Sequence, residues 1–158
     1  MNEMPARKLL IISCSKTKRN LKQGPAIKIY DGPFYKILRK NFTENLDVLI
    51  LSAKYGLIEY TKIISPYDTK MTLNLAKEIR VESTYNLLKL LKQNTYSEIF
   101  VELGKIYKDG IDFESLKQEG LNFKFDDGTI GKRLHNLKIW LCSLKNERNP
   151  PIIKKDIN

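Results

Sequence analysis

KLLIIS, residues 8–13, is a short apolar run bounded by polar side chains, and it is the stretch that decides the fold. A continuous run of this kind is typical of a strand that is buried on both faces of a parallel sheet. A second such run, DVLILS, occupies residues 47–52, and an amphipathic stretch that Pro33 begins, residues 33–42, lies between the two. Because Pro is favoured in the first turn of a helix, this stretch predicts a helix. Strand, helix and strand in succession form a βαβ unit, which predicts a mostly parallel sheet.

The remainder of the chain continues this alternation of helices and strands. Residues 73–93 keep helical spacing, although the stretch at 81–84 leaves open whether they form one helix or two. We expect a three-layer α/β fold, a mostly parallel sheet flanked by helices, in a single domain over residues 1–148 with a loose tail at 149–158. The further predicted elements are a strand at 97–103, a short helix at 113–118, a weak strand at 122–125 and a final helix at 131–144. The predicted core-facing positions of the two long helices are Leu75, Ile79, Tyr85, Leu88 and Leu90 or Leu91, and then Leu134, Leu137, Ile139, Leu141 and Leu144 around Trp140.

Composition excludes several classes of protein. Of the 158 residues, 42% are hydrophobic, which supports a real core, and 29% are charged. No apolar stretch approaches the roughly 18 residues that a transmembrane helix needs. Residues 1–8 lack the apolar region of a signal peptide, so we expect a cytoplasmic protein with no membrane partner. Cys14 and Cys142 have neither a second pair nor metal-ligand spacing, so we expect no disulfide and no metal site, and the sequence indicates no particular cofactor.

The charge balance points to an anionic partner. Lys and Arg total 28 against 18 Asp and Glu, which gives a formal net charge of +10. Such an excess raises the local concentration of nucleic acid or of nucleotide-like ligands. The positive charges are scattered along the chain, however, so a lysine-rich composition that reflects codon usage or thermophily is an equally open explanation.

The loop after the first strand combines several reactive side chains. Residues 13–19 (SCSKTKR) offer three hydroxyls, one thiol and three cations directly after the buried strand. Small residues such as Ser13 and Ser15 let backbone N–H groups approach an anion, and Lys16 and Lys18 would neutralise a phosphate. The glycines and the Gly-Lys-Ser/Thr ending of a nucleoside-triphosphate loop are missing. An ordinary solvated end of a strand is the alternative.

The loop after the second strand, residues 52–58 (SAKYGLI), is the second candidate. Gly56 predicts a tight turn there, from which Ser52, Lys54 and Tyr55 would project toward a shared pocket. In open α/β sheets ligands bind beyond the carboxyl ends of the strands. We therefore expect this loop and the loop after the first strand to form one site.

A Pro-Tyr-Asp step follows the second loop after a spacer. Tyr67 would stack on a base or another ring, and Asp68 would accept a hydrogen bond or serve as an acid or base. The same three residues also form unremarkable turns in many proteins. Glu102, at the end of the predicted strand 97–103, is a second carboxylate candidate for the pocket.

Some single residues point to structure more than to chemistry. His135 lies on the final helix beside apolar positions, which predicts a structural histidine, and Trp140 predicts a core residue. Asp126 and Asp127, followed by Gly128, predict a turn.

Two stretches carry a resemblance to a known family. The segments LSAKYGLIEYTKIISPYDTKM (51–71) and IISCSKTK (11–18) resemble the YaaA-like proteins and a related set of small domains of unassigned function. The small domains also share a Tyr-x-Gly step before the first helix, here residues 30–32, and an ending like residues 131–138. The chain is shorter than YaaA itself and reads SCSK at 13–16 where YaaA proteins read closer to Ser-Pro-Ala-Lys, of which Lys16 matches.

The resemblance implies an association with nucleic acid, because YaaA is linked to DNA binding and to protection against oxidative stress. A looser likeness, confined to the short Ser-Cys-Ser pattern at 13–15 and the lysine that follows, connects the chain to the core domain of archaeosine synthase. That enzyme attaches an amino acid to a modified tRNA base. Both likenesses favour a nucleobase or nucleotide over other small molecules.

Two hypotheses follow for the function. The first is an enzyme that acts on a nucleobase or nucleotide by glycosidic cleavage or group transfer, in which Asp68 with Lys54 supplies acid or base chemistry. Cys14 is a weaker nucleophile candidate, because neighbouring cations favour its thiolate but no His, Asn or Asp partner is evident. The second is a non-catalytic DNA- or RNA-binding domain with a stress-related role, in which the same cations contact phosphates.

Overall fold

The computed structural model describes residues 6–148, so the tail predicted at 149–158 lies outside the described residues. The elements alternate between strand and helix in the order expected for an α/β fold. The strands are β1 (Lys8–Ser13), β2 (Gly24–Pro25), β3 (Leu46–Ser52), β4 (Gly56–Glu59), β5 (Ile63–Ile64), β6 (Glu98–Glu102) and β7 (Lys124–Phe125). The helices are α1 (Ala26–Ile29), α2 (Pro33–Lys40), α3 (Leu73–Gln93), α4 (Lys105–Lys108), α5 (Phe113–Gln118) and α6 (Ile130–Arg148).

Five of these strands form one mixed sheet in the order β4-β3-β1-β6-β7. The central strand β1 pairs in parallel with β3 on one side and with β6 on the other, and β6 pairs in parallel with β7. The edge strand β4 is antiparallel to β3, because the two are joined by a tight turn. Strands β2 and β5 form a separate antiparallel pair. The predicted βαβ unit and the mostly parallel sheet are therefore confirmed.

The sheet is covered on both faces, as its apolar strands require. Leu10 and Ile12 of β1 pack in one core with residues of α2 and α6, whereas Leu9 and Ile11 pack in a second core with residues of α3 and α5. Trp140 of α6 is buried and stacks on Phe100 at 4.6 Å between ring centroids, as expected for a core residue. The result is the three-layer α/β arrangement that the sequence predicts.

Helix α3 continues unbroken through residues 81–84, where the sequence left open whether there are one or two helices. The side chain of Thr72 caps its first turn by accepting a hydrogen bond from Leu75 N at 3.1 Å. Val81 lies on the solvent face with 82% of its surface exposed, so its branched side chain meets no neighbouring element.

Within residues 6–148, no helix has both the length and the apolar character to cross a membrane.

Two of the predicted core positions are wrong. Tyr85 of α3 is 65% exposed and Ile139 of α6 is 55% exposed. In α3 the buried face is instead formed by Ala76, Ser83 and Leu87. Both the predicted residues and the buried residues of α3 keep helical spacing. The packing of the helix against the sheet decides which of the two sets is buried.

Candidate functional site

The site lies where three parallel strands end side by side. Ile12 of β1 is in register with Glu102 of β6, and Ser13 is in register with Leu51 of β3. The chain leaves the sheet here with Cys14 N donating to Leu51 O at 3.0 Å. Because all three strands run the same way, the two candidate loops meet at the carboxyl edge of the sheet.

The loop after β1 is folded on itself. Ser15 Oγ accepts a hydrogen bond from Asp31 N at 3.0 Å and donates one to Thr17 O at 2.5 Å. Lys18 Nζ donates to Ser15 O at 2.9 Å and to Lys16 O at 3.2 Å. These bonds hold residues 15–18 in a compact curve against the start of α2.

The two lysines of this loop have different environments. Lys18 Nζ lies 4.3 Å from the centroid of the Tyr67 ring, and burial lowers the pKa of its ammonium group. Lys16 is exposed, and the structure describes no hydrogen bond or ion pair of its ammonium group. In the described part of the chain, no acceptor receives the backbone N–H groups of Ser15, Lys16 and Thr17 either. The loop therefore offers an anion one exposed cation and three N–H groups without a protein acceptor, while Lys18 stabilises the loop itself.

Ser52 is at the centre of a buried hydroxyl cluster. Its Oγ accepts hydrogen bonds from Tyr30 Oη at 3.0 Å and from the backbone N of Tyr55 at 3.0 Å and Lys54 at 3.2 Å, and it lies 2.8 Å from Tyr67 Oη. Tyr30 Oη and Tyr67 Oη are 2.6 Å apart. Ser52 is 0% exposed, and through these hydrogen bonds it positions Tyr67 and the turn before β4.

Two cavities open at this edge, on either side of the loop after β1. Cavity A, of about 270 Å³, is bounded by that loop, the start of α2, the end of β6 and the first turns of α6. Cavity B, of about 350 Å³, is bounded by the same loop, residues 68–71 and helix α4. Residues 14–16 and Tyr107 line both. Cys14 Sγ lies 3.1 Å from Tyr107 Oη, so this pair stands between the two cavities.

Cavity B combines cations with an apolar wall. Lys16, Lys18 and Lys70 line it together with Met71, and Asp68 is the carboxylate on its rim. Asp68 is exposed, and the described residues give it no hydrogen bond or ion pair. This cavity fits the anionic part of a ligand.

Cavity A is lined by a hydrogen-bonded carboxyl and guanidinium and by an aromatic ring. Arg133 Nε donates to Glu102 Oε2 at 2.9 Å, and the Arg133 guanidinium carbon lies 5.2 Å from the centroid of the Phe34 ring. Glu102 is 1% exposed. Burial, together with the neighbouring carboxyl of Asp126, raises the pKa of Glu102 to about 9, against the opposing effect of Arg133. At neutral pH the Glu102 side chain is therefore a carboxylic acid.

Asp126 is buried beside Glu102, a position that the predicted turn at residues 126–128 does not by itself indicate. Its N–H donates to Val101 O at 3.0 Å, which fixes it next to the end of β6, and Asn136 Nδ2 donates to its Oδ1 at 2.8 Å. Asp127 is exposed and pairs with Lys108, and Gly128 forms a bend with a φ of 123°. The Asp-Asp-Gly step thus combines a real turn with one buried carboxyl.

The predicted site residues lie at this edge in different roles. Ser13 lines cavity A, and its Oγ accepts a hydrogen bond from Gly104 N at 3.2 Å. Tyr67 is half-buried beneath cavity B, with the Tyr55 ring edge-on at 5.5 Å between centroids. Lys54 is exposed above the Tyr55 ring, at 5.3 Å from its centroid. The residues of the prediction that line a cavity are Ser13, Cys14, Ser15, Lys16, Lys18, Asp68 and the second carboxylate candidate, Glu102.

Some parts of the site were missed or misread from the sequence. His135, predicted to be structural rather than catalytic, is exposed on α6 and lines neither cavity. Arg133 and Asn136 were missed, although their spacing of three residues on a helix is a signal that both face one side. Over residues 6–148, no cluster of three or more His, Cys, Asp or Glu side chains is suited to hold a metal ion.

Comparison with known proteins places the chain in a family. The model of the "Family of unknown function (DUF6884)" matches residues 9–139, and the chain belongs to that family. The matched range includes the whole five-stranded sheet except the first residue of β1, together with both cavities. No curated protein matches the chain.

Proposed function

We propose that this protein is an enzyme that acts on a nucleobase or nucleotide, by glycosidic cleavage or by group transfer. One observation carries the proposal: residues 14–16 line two cavities of different chemistry at a single sheet edge. One cavity holds a carboxylic acid, a guanidinium and an aromatic ring, and the other is lined by lysines. A nucleotide has the same two-part chemistry, since a flat heterocycle is joined through a sugar to an anion.

Cavity B and the loop after β1 would bind the phosphate. Lys16 supplies a cation without a protein partner, and the neighbouring N–H groups supply donors at fixed positions. Successive backbone N–H groups in a curved loop form the concavities in which many proteins bind phosphate. Lys70, on the opposite wall of cavity B, adds a second positive charge. The ammonium of Lys18 is already bound to the loop carbonyls, so it contributes by holding the loop in shape.

Cavity A would bind the base. The ring of Phe34 offers a stacking surface, and the guanidinium of Arg133 has donors beyond the Nε that Glu102 occupies. Volumes of about 270 and 350 Å³ for cavities A and B lie at the lower end of small-molecule sites. A single nucleotide unit bridging both cavities is therefore a better match to the site than a bulky ligand in one of them.

A non-catalytic DNA- or RNA-binding domain is the second candidate, and the net charge of +10 favours it. The resemblance to the YaaA-like proteins supports the same class of partner. A simple binder needs a basic face, however, and has no use for a buried carboxyl held neutral in a cavity. The Glu102 environment therefore favours the enzyme, and Asp68 on the rim of cavity B remains a second acid–base candidate.

The test compares nucleotides with the nucleosides that lack their phosphate. Isothermal titration calorimetry with the four common nucleoside monophosphates should show binding that added salt weakens. Lys16→Ala should weaken nucleotide binding by about tenfold, since a charged hydrogen bond contributes about 1.5 kcal/mol or more, and should leave nucleoside binding unchanged. The matched control is Lys77→Ala, which removes an equal charge from the exposed face of α3.

Turnover separates the two candidates. A panel of nucleosides, nucleotides, modified bases and oligonucleotides is incubated with the protein and analysed for released base or transferred group. Conversion of any member supports the enzyme. Tight, salt-dependent binding of oligonucleotides with no conversion of any substrate would instead establish the binding domain, and equal affinity for nucleotide and nucleoside would remove phosphate recognition.

A further inference from the structure

Two buried carboxyl groups and one guanidinium lie together at cavity A, and of these Glu102 and Arg133 line the cavity. Glu102 comes from the end of β6, Asp126 from the segment after β7, and Arg133 from the second turn of α6. Each carboxyl has one oxygen with a donor: Glu102 Oε2 accepts from Arg133, and Asp126 Oδ1 accepts from Asn136. The three charged groups therefore come from three separate elements and converge at one point.

The other oxygen of each carboxyl has no donor. Glu102 Oε1 and Asp126 Oδ2 are buried, and the described residues supply neither with a hydrogen bond. Two ionised carboxylates cannot bond to each other, because both are acceptors. One proton placed between them turns both orphaned oxygens into a satisfied pair and leaves the cluster with one negative charge opposite Arg133.

We propose that Glu102 and Asp126 share one proton and that Glu102 is the acid–base residue of cavity A. Glu102 and Arg133 line the cavity, whereas Asp126 does not, so Asp126 acts through Glu102 as a positioning residue. The acid–base half of the proposal rests on the proposed function. The shared proton is a property of the resting protein and does not depend on it.

For glycosidic cleavage the step balances with water as the acceptor. The bond between the anomeric carbon and the base nitrogen breaks, the base keeps the electron pair, and Glu102 donates its proton to the base. Water then adds to the anomeric carbon, and the proton that it releases returns to the carboxyl pair. Between these events the pair carries two negative charges near one guanidinium, which favours its reprotonation.

Other titratable groups face the same cavity from the neighbouring elements. They are Cys14 and Lys16 of the loop after β1, Asp31 and Tyr35 at the start of α2, and Tyr107 of α4. Asp31 is paired with Arg39 at 2.6 Å, and burial keeps the pKa of Tyr35 well above its usual range. Neither of these two groups changes charge between pH 6 and pH 9, so neither competes with the carboxyl pair as a source of the proton.

The first measurement is a carbon-13 NMR titration of the Glu102 carboxyl in the full chain. In the wild type its midpoint should lie near pH 9. Asp126→Asn removes the neighbouring charge and the acceptor of the proton, so the midpoint should fall toward the ordinary acidic range. Asp127→Asn, an exposed neighbour, is the matched control and should leave it unchanged. Ionisation of Glu102 in the ordinary acidic range in the wild type would overturn the shared proton.

The second measurement uses any substrate that the nucleotide panel identifies. Glu102→Gln keeps the size and the hydrogen bond to Arg133 and should lower kcat by about 10² to 10⁴ with little change in KM. Asp126→Asn should shift the alkaline limb of the pH–rate profile, which a merely structural residue would not do. Circular dichroism melting checks that both variants fold.

The outcomes distinguish this proposal from the proposed function. If Glu102→Gln keeps the wild-type kcat while Lys16→Ala still weakens nucleotide binding, the acid–base role is wrong and the proposed function stands. If no member of the panel is converted, the enzyme and the acid–base role fail together, and the NMR titration still decides the shared proton.

Discussion

Replacing Ser52 by Ala tests whether its hydroxyl cluster holds the candidate site together. Ser52 Oγ has four hydrogen-bond partners, namely the hydroxyls of Tyr30 and Tyr67 and the backbone N–H groups of Lys54 and Tyr55. In Ser52→Ala the two tyrosine hydroxyls still bond to each other across 2.6 Å. One hydroxyl proton and two N–H groups lose their acceptor.

The expected cost follows from this count. Each lost acceptor costs about 1 kcal/mol, so the three together predict a loss of about 3 kcal/mol of unfolding free energy. Urea unfolding measures this loss of unfolding free energy. The dependence of the free energy on urea concentration should be the same in both proteins, which makes the comparison valid. Ser65→Ala is the control, because Ser65 is exposed and has no hydrogen bond among the described residues, so its effect should stay within about 0.5 kcal/mol.

A companion variant refines the same test. Tyr67→Phe removes a single hydroxyl and should cost about 1 kcal/mol. The double variant should cost less than the sum of the two single changes, because both remove the same bond between Ser52 and Tyr67. A loss below about 1 kcal/mol for Ser52→Ala, or strict additivity with Tyr67→Phe, would refute the cluster as a support of the site.

The remaining predictions concern pH and packing. The pKa of Glu102 is about 9 in the native protein and about 4.5 in the unfolded chain. Between these pH values only the native protein holds the proton, so the free energy of unfolding should fall as pH rises. Because one proton changes the unfolding free energy by about 1.4 kcal/mol per pH unit, stability should fall by roughly 3 kcal/mol from pH 6 to pH 8. Glu102→Gln should abolish this slope in urea unfolding, and an unchanged slope would count against the buried acid. A Cβ at Gly110 would lie 2.9 Å from Leu51 Cδ2 and 3.1 Å from Tyr107 O, so Gly110→Ala should lower unfolding free energy by about 1 to 3 kcal/mol. Gly131→Ala, where nothing lies within 4 Å, should not destabilise the protein, and equal losses in both variants would exclude the close contact at Gly110 as the cause.

The central elements of the fold could be predicted from local sequence. The runs at 8–13 and 47–52 are apolar at nearly every position, because strands buried on both faces have no side that tolerates polar residues. Pro33 predicted the start of α2 because its missing N–H costs nothing in the first turn. Tyr85 and Ile139 were misplaced because more than one stripe of a long helix satisfies the same apolar spacing.

The meeting of the two candidate loops was also predictable, because parallel strands end at the same edge and the loops after β1 and β3 must meet there. The roles within the site required the tertiary structure. Lys16 and Lys18 are two residues apart and have the same chemistry, yet the carbonyls of the folded loop surround only the ammonium of Lys18. Glu102, Asp126 and Arg133 are far apart in sequence, and no local pattern relates them. Their significance arises from burial and mutual proximity, which shift a proton equilibrium only after β6, β7 and α6 have packed together.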